Sequence, residues 1–186
     1  MKVCVLSSGS KGNSTLVITD KVKILIDLGT TTSYVEAALN NLNVDIKEIS
    51  HILITHSHVD HIKGLKVFIK RYNPVILVTE DMKNVLEKEL GNFRYEYYED
   101  KKAIIGDLTV NVIKTSHDAE ESIGFVLINN NSSMVYITDT GYINQKYFKI
   151  LSNNNLYVLE SNHDIKMLMD GPYPYYLQQR VRGDKG

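Results

Sequence analysis

Cys4 is the one cysteine in 186 residues, which excludes an intrachain disulfide framework and suits a reducing compartment. An excess of one charge is also missing: 21 Lys plus Arg face 22 Asp plus Glu, for a formal charge of -1. No global basic field exists to hold a polyanion, so any nucleic-acid contact has to be local. Long apolar runs are absent too. Val3-Cys4-Val5-Leu6 is too short for the hydrophobic part of a signal peptide, and no stretch approaches the length that crosses a bilayer. These absences point to a cytoplasmic protein with no membrane partner. No internal repeat or linker-like composition break is visible. With 43% hydrophobic and 23% charged residues, the composition is that of an ordinary globular chain, and residues 1–186 are expected to form one domain.

Val3 to Leu6 reads as a strand, followed by the small-residue loop Ser7-Ser8-Gly9-Ser10-Lys11-Gly12-Asn13-Ser14. Leu16-Val17-Ile18 and Lys23-Ile24-Leu25-Ile26-Asp27 flank a turn at Thr19-Asp20-Lys21, a hairpin pattern ending in a polar tip at Asp27. Ser33 with Glu36 three residues on predicts a capped helix start, and Val35, Leu39 and Leu42 recur at helical spacing. The strand Ile52-Leu53-Ile54 leads into His56. Helices are expected from about Asp60 to Arg71 and from Glu80 to Leu90, with a strand over Val75 to Val78 between them. The second half reads mainly as strands, at Thr109 to Ile113, Ile123 to Ile128, Met134 to Ile137 and Leu156 to Leu159. Short helices are expected over Tyr142 to Leu151 and Asp164 to Met169. Two strand-rich halves with helices outside predict an α+β layered sandwich.

His56-Ser57-His58-Val59-Asp60-His61 concentrates three of the six histidines in six residues. His56 and His58 share a direction if they leave an extended strand end, by the two-residue side-chain period. Asp60 and His61 then sit where the chain turns into a helix and can address a second position. Imidazole with carboxylate suits zinc or manganese, and the lack of thiolates argues against an iron-sulfur site. Other candidates stand at strand ends: His117-Asp118, Asp139 and His163-Asp164. The glycine-bearing loop lacks the spacing of a P-loop, and no dinucleotide fingerprint is present. Its Ser8, Ser10 and Asn13 could meet a phosphate at a site rim, or the loop could be simple turn structure. Tyr173, Tyr175 and Tyr176 beside Arg180 and Arg182 read either as a local nucleic-acid surface or as packing.

These segments resemble the metallo-β-lactamase fold family, in its branch of bacterial exonuclease-like metallo-hydrolases associated with cell-wall two-component systems. The resemblance rests on Ser7 to Ser14, Leu25-Ile26-Asp27-Leu28-Gly29, Ile54 to His61, Thr138-Asp139-Thr140-Gly141, Glu160-Ser161-Asn162-His163-Asp164 and Met169-Asp170-Gly171-Pro172-Tyr173-Pro174. It implies an αββα sandwich of two mixed sheets with outer helices and a site for two divalent cations, zinc or manganese. By that resemblance His56, His58 and His117 hold one cation, Asp60 and His61 the other, and Asp139 bridges both. Asp27 is then the structural aspartate beneath the histidine loop.

Asp60, His117, Asp139 and His163 are the implied catalytic groups, His163 contacting substrate or leaving group, with direct ligation as the alternative. Ser8, Ser10, Asn13, Asn162 and Arg180 are the candidate substrate contacts. In that branch a further histidine motif follows the segment around Gln178 to Gly183, whereas this sequence stops at Gly186. The expectation is an incomplete C-terminus and a weak second cation position. It would also leave an exposed edge that favours a homodimer. The implied activity is metal-dependent hydrolysis of DNA, 5′-to-3′, or of a small phosphodiester. Hydrolysis of a small ester, thioester or lactam is the second reading, and a catalytically weak metal-binding or partner-binding fragment the third.

Overall fold

The computed structural model describes residues 1–130, 132–160 and 164–184. Strand β1 (Lys2–Ser7) pairs antiparallel with β2 (Ser14–Ile18), and β2 with β3 (Lys23–Ile26). From there the sheet turns parallel through β4 (Ile49–Leu53), β5 (Val75–Val78) and β6 (Tyr95–Tyr97), six strands among the described residues. The second sheet contains β7 (Lys102–Ile105), β8 (Leu108–Lys114), β9 (Ile123–Asn129), β10 (Ser132–Ile137) and β11 (Leu156–Leu159). Its pairs are antiparallel except β10 with β11. Both sheets are therefore mixed, as the family resemblance implies.

Buried side chains from the two sheets, including Ile24, Ile26, Leu53, Val110, Phe125 and Leu127, meet in one apolar layer. Helices α1 (Thr32–Asn41), α3 (Leu65–Tyr72) and α4 (Glu80–Leu90) bury Val35, Leu39, Leu65, Phe68, Met82 and Leu86 in the same core cluster. A smaller cluster of Ile113, Val126, Val135 and Ile137 is closed by Leu151 of α5 (Phe148–Leu151). Adjacent residues of β9, Phe125 and Val126, belong to different clusters, so that sheet is covered on both faces; this explains its nearly unbroken apolar run. The result is an αββα sandwich.

The strand directions place the site. Strands β1, β3, β4 and β5 end at one rim of their sheet, and β8, β10 and β11 end together in theirs. The Ile123 N–H donates to the Thr55 carbonyl at 3.0 Å, tying the start of β9 to the end of β4 and joining the sheets at that rim.

Several element expectations need correction. The α1 cap is Thr31, whose hydroxyl accepts from Tyr34 N–H, and not Ser33. Glu36 is drawn away to Arg71 and Tyr72 at 2.7 and 2.6 Å. The helix expected from Asp60 to Arg71 is two, α2 (Val59–Ile62) and α3, separated at Gly64. A Cβ at Gly64 would lie 2.3 Å from the Thr30 carbonyl oxygen, so close approach of the loop after β3 dictates glycine there. In place of a helix over Tyr142 to Leu151, a 3-10 turn at Gln145–Tyr147 precedes the single turn of α5. Strand β7 and helix α7 (Tyr175–Val181) have no counterpart in the sequence reading, while α6 (Ile165–Asp170) does, capped by Asp164. Asp27, expected at a polar tip, is completely buried. Among the described residues no helix is long and apolar enough to cross a membrane.

Candidate metal centre

The buried run Ile52 to Ile54 carries β4 into the sandwich, and the chain emerges at the rim as His56, His58 and then the short helix α2. His56 and His58 do come together, with ring centroids 4.7 Å apart. His61, in the last turn of α2, folds back until its ring lies 4.0 Å from that of His56. From the other sheet, the loop after β8 brings His117 to 4.8 Å from His56 and 4.9 Å from His58. The loop after β10 brings Asp139 Oδ2 to 3.1 Å from His61 Nε2, and Asp60 Oδ2 stands 3.8 Å from the same nitrogen.

Two donor groups result, each with its donor atoms within 4.8 Å of one another: His56, His58 and His117, and His56, His61 and Asp139. The residues fit a cation. His56 Nε2 is buried with no hydrogen-bond partner among the described residues, a cost that a coordinated ion would remove. His58 Nδ1 and His117 Nε2 are 3.2 Å apart. That is close to the ~3.3 Å edge of a tetrahedron built on bonds of ~2.0 to 2.1 Å.

Beneath the histidines, Asp27 accepts from the Thr55 N–H at 2.8 Å and the Thr55 hydroxyl at 2.9 Å, and its Oδ2 lies 2.8 Å from His61 Nδ1. This contact turns His61 so that Nε2 faces the site. The Thr55 hydroxyl also lies 3.1 Å from both His56 Nδ1 and His61 Nδ1. Thr55 is the site residue the sequence reading missed. Its only signal was a hydroxyl at the end of the apolar run Ile52-Leu53-Ile54.

The small-residue loop is drawn in by backbone. Asn13 N–H donates to the Asp60 carbonyl, Gly29 N–H to the Asn13 carbonyl, and Leu28 N–H to the His61 carbonyl, each at 2.8 Å. A Cβ at Gly29 would sit 1.6 Å from the Asp60 carbonyl oxygen, so this lacing requires glycine. Asn13 Oδ1 accepts from Gly9 N–H, which leaves Asn13 Nδ2 facing His61 Nε2 at 3.0 Å. Ser8 and Ser10 stay exposed on the loop. Arg180 of α7 reaches the rim, where it pairs with Asp118 at 2.7 Å; Asp118 Oδ1 lies 3.2 Å from His117 Nε2. Tyr173, Tyr175 and Tyr176 are mostly exposed, against the packing alternative. Asn162 and His163 lie outside the described residues.

Burial, with the charge of His61 second, pushes His56 down to about 2. Burial acts against a charged His61 as well, but the Asp27 charge and hydrogen bonds to Asp139 and Asp27 outweigh it and raise His61 to about 10. Burial would raise the Asp139 carboxyl, yet the hydrogen bond and charge of His61 hold it down to about 2. Asp27 and Asp139 thus favour a positive charge on His61, beside a neutral His56.

The family model of the metallo-β-lactamase superfamily matches residues 8–167, which span every described donor. The chain belongs to the metallo-β-lactamase superfamily. Within it, the Bacillus anthracis protein named exodeoxyribonuclease YycJ is 37% identical over 186 residues, covering 98% of this chain and 70% of that protein. Exodeoxyribonuclease WalJ of Streptococcus pneumoniae serotype 2 is 32% identical over 191 residues, covering 100% of this chain and 71% of that protein. Among solved structures, human tRNase Z, short form, superposes with a TM-score of 0.72 at 15% identity, covering 91% of this chain and 81% of that one. YhfI from Bacillus subtilis gives 0.68 at 18%, covering 87% and 70%. At such identities these two show a shared fold.

Proposed function

We propose that this superfamily member is a metal-dependent phosphodiesterase acting on DNA from a 5′ end. The observation that supports it most is the pair of donor groups sharing His56, assembled from strand ends of both sheets. The exodeoxyribonuclease names of the relatives choose DNA within that chemistry.

His56, His58 and His117 would hold one cation, and Asp60 and His61 a second, with Asp139 available to both and Asp27 fixing His61. The cations are zinc or manganese, and the second position is the weaker, since it has only one imidazole of its own. When bound, such a pair lowers the pKa of a shared water and neutralises charge on a phosphodiester. The protein's own groups do the rest. Asp139 is ionised at neutral pH and can accept a proton or hold a water at the centre. Asn13 Nδ2 supplies a fixed N–H donor beside His61 Nε2, where charge would develop on a phosphoryl oxygen. Arg180, anchored by Asp118 at the rim, offers a guanidinium to an adjoining phosphate. Asn162 and His163 are proposed as substrate contacts from the sequence resemblance alone, His163 for the substrate or leaving group.

The test is release of nucleotides from end-labelled single-stranded and duplex DNA with added zinc or manganese, beside a thioester, a simple ester and a lactam. Metal-dependent release from the 5′ label supports the reading. Turnover of the thioester, ester or lactam in preference to DNA, or no phosphodiester cleavage with either metal, contradicts it.

A further inference from the structure

A cavity of about 280 Å³ opens beside the donor groups and shares one wall with them, His117. Its other lining residues include Lys114 at the end of β8, Ser116, and Tyr142, Lys146 and Tyr147 from the segment before α5. Among the described residues two cations line it and no carboxylate does. Tyr147 is fixed in place: its hydroxyl accepts from Lys114 N–H at 3.1 Å, and the Lys146 ammonium stands 4.9 Å from its ring centroid. Neither lysine makes an ion pair among the described residues, whereas Lys23 and Lys83 do. Tyr142 is 51% exposed and offers an uncovered aromatic surface at the cavity wall.

A pocket with paired ammonium groups, an aromatic face and no competing carboxylate matches a ligand that is anionic at one end and a flat ring at the other. We infer that this cavity is a nucleotide subsite: Lys114 and Lys146 take a phosphate, and Tyr142 stacks on the base of the nucleotide next to the scissile bond. The shared wall at His117 sets the subsite one residue away from the reacting phosphorus. The inference takes its substrate class from the phosphodiesterase reading, but the binding it describes needs no turnover.

The probes are thymidine 5′-monophosphate, inorganic phosphate and thymidine, titrated into the purified 1–186 chain while backbone amide shifts are followed by NMR. The monophosphate is expected to shift Lys114, Ser116 and Tyr142 and to bind at least about fivefold more tightly than either fragment. The double variant Lys114→Ala/Lys146→Ala weakens it roughly tenfold, the loss of a charge-assisted contact. Tyr142→Ala removes its advantage over phosphate. All three side chains are exposed or line a surface cavity, and an unchanged thermal midpoint shows that the variants fold. The inference is overturned if the double variant binds like the parent, if phosphate binds as tightly as the nucleotide, or if shifts are confined to the His56–His61 loop. Failure of DNA cleavage with these binding results intact would count against the phosphodiesterase reading and leave the subsite standing.

Discussion

Asp27 Oδ2 and His61 Nδ1 lie 2.8 Å apart with both side chains fully buried, one at the end of β3 and the other at the end of α2. This contact sets the ring orientation of a candidate ligand. Asp27 adopts a left-handed backbone, φ 59°, as does Asp139 at φ 51°. Each chain reversal at a strand end therefore carries local strain that surrounding contacts must offset.

Asp27→Asn keeps the size of the side chain and removes its charge. Leaving the buried imidazole and Thr55 donors poorly matched should lower stability by about 3 kcal/mol. Affinity at the second cation position should fall by roughly 10- to 100-fold, with a smaller change at the three-imidazole position. Urea denaturation and a chelator-competition titration read the two effects.

The pH dependence of the metal-free chain follows from opposite shifts. His61, raised from 6.5 to about 10, contributes stability that is complete below pH 6.5 and is lost as pH rises through 10. His56, lowered from 6.5 to about 2, contributes stability that is complete above pH 6.5 and is lost as pH falls toward 2. Stability from these two groups should peak near pH 6.5 and decline on both sides, by about 1 kcal/mol per pH unit. Saturating zinc replaces the His61 proton and should flatten the alkaline decline. Denaturation midpoints from pH 5 to 9, with and without zinc, check this; a flat metal-free profile would contradict it.

Gly29→Ala should damage the second position selectively. The added methyl collides with the Asp60 backbone, which cannot move without breaking the Asn13 contact. A stability loss of about 1 to 3 kcal/mol is expected. Native mass spectrometry should show the bound-metal count falling from two to one.

Arg180→Ala removes a half-exposed ion pair, so stability should change by less than about 1 kcal/mol. If Arg180 contacts DNA, KM for a single-stranded oligonucleotide rises severalfold while kcat is little altered. An unchanged KM would remove Arg180 from the substrate contacts.

Part of the donor set was legible because His56, His58 and His61 lie within six residues, just after the apolar strand β4 and at the start of α2. His117 and Asp139 come from the other sheet and were named only as residues at strand ends and through the family resemblance. Helix α4 was legible for a similar reason, since Thr79 and the spacing of Met82 and Leu86 are local signals. Long-range contacts were not readable. Glu36 looked like a capping partner because nothing nearby reveals that Arg71 and Tyr72, on α3, would claim it. The missing side chain at Gly64 does read as room for close backbone approach, as found, but does not reveal that the loop after β3 is the segment packed on it. Strand β7 starts after two left-handed residues, Asp100 and Lys101, and its short apolar run Ala103-Ile104-Ile105 does not alternate with polar residues, Ile104 being exposed. Thr55 gains its role only when Asp27, 28 residues earlier, is brought beneath it.

The most direct measurement is anomalous diffraction from crystals of this chain grown with zinc. The account predicts an ion bonded to His56 Nε2, His58 Nδ1 and His117 Nε2 at about 2.0 to 2.1 Å, with a second, weaker peak beside His61 Nε2 and Asp139. Fully ordered zinc elsewhere, with His56 Nε2 still unbonded, would contradict it.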